Sequence, residues 1–325
     1  MLKNIFKKAF VAICLLIAAT SIYLSFNTLI ETNSYNPPAK RIALILNSYV
    51  GQHGVVVKQG AILAAKENKA ELTVFTPYSD LDLEVFQLSR IDEIIAEKFD
   101  GVLLMSCGSN RILEAIEKLE NNKIEVISLD VPIDGCTGPY VGTNHELSGT
   151  MLIESLLNHE QDIKSIVIVE DSMATEASKI IAEYRLKGIY KGLENKKTDI
   201  KKIKFTDIDQ LRDEINALDD TVAIVSMDSI LTENIALLKN NGNKNFNIYG
   251  FDSNQMHLNL LYEKLVKQEL IRDSLAIGYR ATNNLIAKIN GTKIDNIDYI
   301  KAYMVNVDLL KYNKYATLLY PISVE

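Results

Sequence analysis

Short apolar runs that alternate with helix-length segments constrain the fold of this chain most strongly. Between residues 41 and 252, runs rich in β-branched residues recur with amphipathic stretches between them. This alternation predicts parallel strands in βαβ units. Three of the runs, VISLD, IVSMD and IYGFD, end on aspartates, which are Asp130, Asp228 and Asp252. Ligands of parallel sheets bind beyond the carboxyl ends of the strands, where a carboxylate accepts hydrogen bonds from hydroxyl groups. The pattern therefore predicts an α/β fold with a cleft for a small polar molecule.

The predicted elements form two units of the same layout. The predicted strands are 41–47, 72–76, 101–106 and 126–130 in the first unit, and 165–170, 202–206, 223–228 and 247–252 in the second. The predicted helices are 55–68, 84–97, 110–120, 148–157, 177–193, 210–217, 232–240, 255–265 and 276–289. The tail 299–320 alternates weakly, and we expect it to cross between the units.

Composition and motifs exclude several functions. The 325 residues suffice for about two domains. The net charge of −7 leaves no basic surface for nucleic acid. The sequence contains no GxSxG, GxGxxG, Walker or HExxH motif. We therefore expect a protein that is not an enzyme and needs no metal or cofactor.

The N-terminus predicts export. Lysines at positions 3, 7 and 8 precede an uncharged apolar stretch, Ala9–Ile30, which as a helix is long enough to cross a bilayer. Residues 1–30 fit an uncleaved signal anchor, with the rest of the chain outside the cytoplasm. A cleaved signal peptide, which would leave a secreted or periplasmic protein, is the alternative. Residues 31–40 contain a Pro-Pro pair and are typical of a linker. Cys107 and Cys136 both follow predicted strands, and whether they form a disulfide stays open.

The ordered set of motifs resembles the type I periplasmic sugar-binding proteins, the ribose- and galactose-binding group that shares its fold with the lac-repressor core. The motifs that carry the resemblance are RIALILN (41–47), KQGAILAA (58–65), FDGVLLMS (99–106), IEVISLDVP (124–132), VGTNHELSG (141–149), YRLKGI (184–189), AIVSMDS (223–229), IYGFDSN (248–254) and IGYRA (277–281). The resemblance implies two Rossmann-like lobes with parallel sheets, joined by three crossovers and closing on a ligand. The implied lobes are 41–142 plus 274–303 and 143–273 plus 304–325, with crossovers near Thr143, Asp273 and Tyr303.

The resemblance also implies a ligand site. The two aspartates that bind sugar hydroxyls in the family correspond to Asp130 and Asp252. Other positions depart from the family: Val131 replaces an arginine, and Met227 replaces an asparagine. The stacking aromatic residues fall at His53 and Gly54, in a glycine-flanked loop. The family's crossover glutamine falls near Arg272, and its arginine on the first helix of the second lobe falls at Glu183 or Arg185. Without the aromatic residues, a polyol, an amino sugar or a cation is favoured over a hexose in the usual pose.

Several of these residues have a structural alternative. Asp130 and Asp252 could bind loop N–H groups, and Asp228 could cap the helix that follows it. Asn144 is either a hinge hydrogen-bonding group or a ligand contact. Arg272 could pair with Glu269 or Asp273 instead of ligand.

Three functions fit this reading of the sequence. The first is a membrane-tethered sensor subunit whose closure on a sugar-like solute acts on a membrane partner such as a histidine kinase. The second is the capture subunit of an ABC sugar importer, acting with a permease. The third is a degenerate clamp that binds proteins and no solute. The apparent anchor favours the sensor.

Overall fold

The fold is that of a computed structural model, which describes residues 17–23, 38–49, 51–160, 163–194, 196–218, 222–242, 246–252 and 254–319. Two compact units, Met1–Ala39 and Lys40–Glu325, divide the chain. In the first unit residues 17–23 are helical (α1). They belong to the predicted apolar stretch Ala9–Ile30, and the other residues of that stretch lie outside the described residues. None of the described helices combines the length and the apolar content that a membrane span requires.

The second unit contains two six-stranded sheets of matching order. The first sheet has the order β11-β5-β4-β3-β1-β2, and the second has the order β12-β10-β9-β8-β6-β7. The strands of the first sheet are β1 (Arg41–Ile45), β2 (Glu71–Phe75), β3 (Gly101–Leu104), β4 (Glu125–Leu129), β5 (Tyr140–Thr143) and β11 (Ile297–Ile300). Those of the second are β6 (Ser165–Asp171), β7 (Asp199–Phe205), β8 (Val222–Ser226), β9 (Asn247–Phe251), β10 (Gln268–Arg272) and β12 (Ala302–Val305). The strand pairings are parallel except that β12 runs antiparallel to β10.

Helices cover both faces of each sheet. They are α2 (Gln52–Glu67), α3 (Leu83–Ala96), α4 (Ile112–Asn121), α5 (His145–His159), α6 (Glu176–Gly192), α7 (Ile208–Asn216), α8 (Ser229–Asn241), α9 (Gln255–Tyr262), α10 (Ser274–Ile289) and α11 (Asn313–Leu319), with a 3-10 turn at Val307–Lys311. Strands β3 and β8 are buried along their whole length, as expected for parallel strands covered on both faces. The helices thus bury the sheets and leave the strand ends to form the site.

The chain crosses between the sheets three times, as the fold class predicted. It passes from β5 to α5 at Asn144, from β10 to α10 at Asp273, and from β11 to β12 at Lys301. We propose the lobe boundaries at these crossings, which moves the third boundary from the predicted Tyr303 to Lys301, because Tyr303 pairs with β10 in the second sheet. We call the part with the first sheet lobe 1 and the part with the second sheet lobe 2.

One pair of helices in each lobe meets at glycines. In lobe 1, a Cβ added at Gly278 of α10 would lie 1.9 Å from the Val57 carbonyl oxygen of α2. In lobe 2, a Cβ added at Gly188 of α6 would lie 1.8 Å from the Glu146 carbonyl oxygen of α5. Only glycine allows the two backbones to approach so closely. These contacts fix α5 and α10, the two helices that directly follow a crossing.

The two lobes also contact each other through apolar side chains. Ala177, Ile180 and Ile181 of α6, in lobe 2, pack against the core cluster of lobe 1. The loop after β3 approaches the same helix closely, since a Cβ at Gly108 would lie 2.7 Å from the Ala177 nitrogen. The lobes are therefore in contact next to their strand ends, which is a closed arrangement of the cleft.

The eight predicted strands are present, with shifts of up to three residues at their ends. Four further strands, β5, β10, β11 and β12, were missed. Three of them are four residues long, and β10 begins on the buried polar pair Gln268 and Glu269. Such short or polar segments carry no strand periodicity, and only pairing with a neighbouring strand makes them part of the sheet.

Candidate functional site

The two predicted aspartates end equivalent strands of the two lobes. Asp130 follows β4 and Asp252 follows β9, and both adopt the left-handed backbone conformation, with φ of 52° and 67°. Aspartate tolerates this conformation better than most residues because its side chain bonds locally. The turn aims each carboxylate into the cleft between the lobes, where the other charged groups of the site lie.

Asp130 accepts hydrogen bonds at both its carboxylate and its backbone carbonyl oxygen. Its Oδ1 accepts a hydrogen bond of 2.8 Å from the Thr143 nitrogen, and its backbone carbonyl accepts one of 3.1 Å from the Tyr140 hydroxyl. Burial of the side chain, which is 1% exposed, opposes its charged form. The positive charge of Arg272 outweighs this effect and holds the pKa of Asp130 well below its ordinary value. Asp130 is therefore ionised at any physiological pH.

Asp252 binds a buried arginine from the same lobe. Both oxygens of its carboxylate accept hydrogen bonds from Arg185 Nη2, at 2.8 and 2.9 Å. Arg185 also donates from Nη1 to the Met227 carbonyl oxygen at 2.7 Å, and its guanidinium lies 4.5 Å from the centroid of the Phe251 ring. Burial opposes ionisation of Asp252, but Arg185 and then Arg272 lower its pKa to about 2.

Arg272 joins the two lobes. It lies at the end of β10, beside the second crossing, and its Nη1 donates to Asp130 Oδ2 of lobe 1. Its Nε lies 2.6 Å from Asp252 Oδ1 of lobe 2. The alternative prediction, that Arg272 pairs with Glu269 or Asp273, is wrong. Glu269 binds His257, and Asp273 caps α10. One guanidinium thus contacts both aspartates across the cleft, and together with Arg185 it balances their charges.

His53 reaches the same cluster from lobe 1. Its Nε2 lies 3.0 Å from Asp130 Oδ2, and its Nδ1 lies 2.7 Å from the Ser274 hydroxyl. Burial and the nearby Arg272 lower its pKa, so the imidazole is neutral at physiological pH. The predicted loop position was wrong, because α2 begins at Gln52 and His53 lies in its first turn. Gly51, in an extended conformation, starts the helix earlier than the apolar pattern indicated.

Two predicted site residues cap helices. The Asp228 carboxylate accepts a hydrogen bond of 2.9 Å from the Leu231 nitrogen at the start of α8. The Asn144 side chain likewise accepts one of 2.9 Å from the Leu147 nitrogen at the start of α5. Capping does not remove Asp228 from the cleft, where burial and the negative charges of Asp171 and Asp252 raise its pKa to about 6.

A cavity of 470 Å³ lies beside the aspartate–arginine cluster. The side chains around it include Asp228, Asp252, Arg185, Arg272 and Glu183. The cavity has no aromatic side chain among its described lining residues, which agrees with the loss of the stacking positions in the sequence. Its volume is in the range of small-molecule sites.

The cavity offers both donors and acceptors. Arg185 Nε is a buried donor without a hydrogen-bond partner among the described residues, and Arg185 lines the cavity. Asp228 presents a carboxylate to the same space. A hydroxyl group can accept from the first and donate to the second. Within the described part of the chain, no set of three His, Cys, Asp or Glu side chains is placed to hold a metal ion.

Sequence reasoning missed two residues that hold Asp130. His145, at the start of α5, places Nε2 2.7 Å from the Asp130 carbonyl oxygen, and Tyr140 binds the same oxygen. His145 lies within the motif VGTNHELSG, but neither residue was predicted as a site residue, because the contact depends on the pairing of β4 with β5. Cys107 and Cys136 are both free thiols.

Comparison with known proteins agrees with the fold. Residues 42–293 match the model of the periplasmic binding protein domain. No curated protein matches the sequence significantly. GanP, a glucose-galactose binding protein from Geobacillus stearothermophilus, is 16% identical, with a TM-score of 0.73 over 83% of this chain and 98% of its own. An ABC transporter solute binding protein from Agrobacterium vitis with bound D-fucose is 15% identical, with a TM-score of 0.76 over 86% and 100%.

A third solved structure, a complex of XylFII with LytSN, is 20% identical, with a TM-score of 0.71 over 84% of this chain and 99% of that one. At these identities the likeness establishes the fold. Two α/β lobes with a charged cleft at their facing strand ends define a solute-binding protein. This chain belongs to the periplasmic binding protein family, whose domains are non-catalytic and act outside the cytoplasm.

Proposed function

We propose that this chain is an extracytoplasmic receptor for a neutral, polyhydroxylated solute such as a sugar. The observation that carries the proposal is the mixed set of donors and acceptors around the 470 Å³ cavity, with Arg185 and Asp228 in its wall. In the cleft, Asp130 and Asp252 are already paired with Arg272 and Arg185. Because these four charges are balanced within the protein, they do not require a charged solute, and we favour a neutral one over the cation or amino sugar that the sequence also allowed. Structural relatives with bound D-fucose and D-arabinose support this class of ligand.

A thermal-shift screen of the purified full chain, with detergent present throughout, tests the ligand class. The panel contains neutral pentoses, hexoses and polyols, with amino sugars and small cations as the competing classes. A ligand that binds only the folded state adds about 2.7 kcal/mol of stability at a hundredfold excess over its Kd. A shift with a neutral sugar or polyol supports the proposal, and a shift confined to cations or amino sugars contradicts it.

The contribution of Asp252 is tested with the ligand that the screen finds. We expect Asp252→Ala to weaken solute binding by more than about tenfold, because both arginines that it orients lose one of their partners. Asp209→Ala, at an exposed aspartate of α7, is the matched control. Calorimetric titration gives both affinities, and equal affinities would remove Asp252 from the site.

We further propose that the chain is held at the membrane by residues 1–30 and passes the closure of its lobes to a membrane-bound partner such as a histidine kinase. The uncharged stretch after the N-terminal lysines and the XylFII–LytSN complex among the structural relatives support this role. Mass spectrometry of the membrane-bound protein tests the tether. A chain that retains its first 30 residues supports it, and a chain that begins after an internal cleavage contradicts it.

An ABC importer subunit is the second candidate, favoured by relatives described as ABC transporter solute binding proteins. A photo-crosslinking amino acid at Tyr78 of lobe 1 or Met173 of lobe 2, which are 93% and 81% exposed, distinguishes the two in living cells. Crosslinks to a histidine kinase support the sensor, and crosslinks to a permease support the importer.

A further inference from the structure

A second cavity, of 570 Å³, lies beside the first and third crossings of the chain. Lobe 1 contributes the β4–β5 loop and β11 to its walls, and lobe 2 contributes the start of α5 and part of α6. We call this cavity the hinge groove. It shares no lining residue with the 470 Å³ cavity of the cleft. It is therefore a separate site rather than an extension of the solute site.

Tyrosines form much of the hinge groove. Tyr140 and Tyr299 pack edge to face, with ring centroids 6.1 Å apart and an interplanar angle of 71°. Tyr184 lines the groove from lobe 2, and its hydroxyl donates to Asp134 at 3.2 Å. Ile297 and Leu147, which are 55% and 53% exposed, extend the apolar wall. Aromatic and aliphatic walls of this kind suit the apolar faces of a ring compound.

The charged side chains of the groove neutralise each other. Glu146 and Lys191 are the two charged residues among its described lining residues, and they form an ion pair of 3.0 Å. No unpaired charge among the described residues faces an occupant. A neutral occupant is favoured, because a charged one would lose its hydration without gaining a partner of opposite charge.

One buried acceptor of the groove lacks a donor. His145 lines the groove, is 2% exposed, and places Nε2 2.7 Å from the Asp130 carbonyl oxygen. Since a carbonyl oxygen only accepts, Nε2 carries the hydrogen, and in the neutral ring Nδ1 is then an acceptor. Nδ1 has no hydrogen-bond partner among the described residues. A buried polar atom without a partner is destabilising, and a hydroxyl donor would remove this cost.

We propose that the hinge groove binds a neutral, hydroxylated ring compound. Its ring packs against Tyr140 and Tyr299, and one hydroxyl donates a hydrogen bond to His145 Nδ1. The groove is built from both lobes, so its occupant favours the arrangement of the lobes in which these walls are close together.

The groove is also connected to the solute site through Asp130. Tyr140 and His145, which line the groove, both bind the Asp130 carbonyl oxygen, while the Asp130 carboxylate faces the cleft. An occupant that shifts either residue therefore changes the position of Asp130. This coupling rests on the proposed function, whereas binding in the groove does not.

Cys136 provides a direct readout of binding, because this free thiol lines the groove. The experiment measures the rate of iodoacetamide modification of each cysteine of the full chain by peptide mass spectrometry. The probes are phenol and cyclohexanol, which carry a single hydroxyl group each and so do not belong to the polyhydroxylated class proposed for the cleft. We expect at least one probe to slow modification of Cys136 severalfold in a saturable manner. Cys107 lies in a different cavity and serves as the internal control.

Two variants test whether the protection comes from the groove. Leu147→Trp places a larger side chain at an exposed position of the groove and should abolish protection. Tyr299→Ala removes one aromatic wall and should weaken the affinity about threefold to tenfold. Tyr312→Ala is the matched control, since Tyr312 is 54% exposed and Tyr299 is 53% exposed. Melting curves establish that each variant is folded.

The proposal is overturned if no probe protects Cys136, or if protection in Leu147→Trp equals that in the unmodified chain. Because the assay contains no cleft solute, these results are independent of whether the cleft binds a sugar. A failed sugar screen with a protected Cys136 would reject the proposed function alone.

Discussion

Asp130 and Asp252 occupy equivalent positions in the two lobes, share a left-handed backbone conformation, and both bind the guanidinium of Arg272. The two carboxylates that the sequence predicts as acceptors for solute hydroxyls are thus held across the cleft by a group of the protein itself. Opening of the lobes must separate Arg272 from Asp130 or from Asp252. The strength of this bridge therefore contributes to the balance between open and closed forms.

The first prediction concerns the Arg272–Asp130 bridge. Arg272→Met should lower the free energy of unfolding by about 3–5 kcal/mol, because it leaves a buried carboxylate without its partner. The double variant with Asp130→Asn should recover at least about 1 kcal/mol, because the uncompensated charge is removed as well. Urea unfolding of the four proteins gives the coupling energy. The exposed pair Arg212–Asp209 serves as the control cycle and should show less than about 1 kcal/mol. If the changes in the free energy of unfolding caused by Arg272→Met and Asp130→Asn were additive, the bridge would be contradicted.

The second prediction concerns pH and Asp228. Burial and the neighbouring aspartates raise its pKa from 3.8 to about 6 in the folded protein. The folded state then holds a proton that the unfolded state releases, so this group's contribution to stability falls as the pH rises from about 4 to 6. Asp228→Asn keeps a good helix cap and removes the charge, so it should stabilise the protein by about 1–2 kcal/mol at pH 7 and have little effect below pH 4.

Thermal melting across pH 3.5–7.5 measures this difference. The control is Asp207→Asn at the N-cap of α7, an exposed position where hydrogen bonds from the Gln210 backbone lower the pKa of the carboxyl. This variant should not gain stability at neutral pH. A pH-independent effect of Asp228→Asn would contradict the raised pKa.

The third prediction concerns the buried His257. It lies 2.5 Å from Glu269 and 3.5 Å from Glu233. Burial opposes its charge, but Glu233 and Glu269 raise its pKa to about 10. Its contribution to stability is complete below pH 6.5 and is lost as the pH rises through about 10. At pH 7, His257→Leu should cost about 3–5 kcal/mol, because Glu269, 0% exposed, loses its partner.

Denaturant unfolding at pH 7 measures this loss. A second variant, His257→Leu with Glu269→Leu, should recover part of it. His159→Leu, at an exposed histidine near the end of α5, should change stability by less than about 0.5 kcal/mol. A loss of less than 1 kcal/mol in His257→Leu would argue that the charge cluster is solvated.

The fourth prediction concerns the contact of α2 with α10. In Gly278→Ala the new methyl group would overlap the Val57 carbonyl oxygen, so the helices must separate at a cost of about 1–3 kcal/mol or more. Gly54→Ala on α2, where the nearest atoms lie 3.9 Å away, should be neutral or stabilising by up to about 1 kcal/mol. Thermal melting compares the two variants. Equal changes in melting temperature in the two variants would contradict this prediction, because they would show that α2 and α10 can separate without loss of stability.

The local pattern of apolar residues in the sequence was sufficient to predict most of the fold. The apolar runs at Val126–Leu129 and Ile248–Phe251 read as buried strands because parallel strands covered by helices are apolar on both faces. The strands β11 and β12 could not be read in this way. Ile297–Ile300 is largely exposed and mixed in polarity, and only its pairing with β5 makes it a strand.

The candidate site, like the fold, was predicted only in part from the sequence. The sequence by itself placed Asp130, Asp228 and Asp252 at strand ends, because a run of β-branched residues and the polar residue that follows it are adjacent in the chain. It also predicted two similar α/β units and a ligand cleft between them.

Only the tertiary structure decided which charges meet. Arg272 is 142 residues from Asp130 in the chain, and Arg185 is 67 residues from Asp252. The helix start at His53 and the groove of Tyr140, Tyr299 and His145 likewise depend on contacts between distant segments. Periodicity reports which side of an element is buried, whereas the partner of a buried charge is set by how the elements pack, since distant residues approach only when both lobes are assembled.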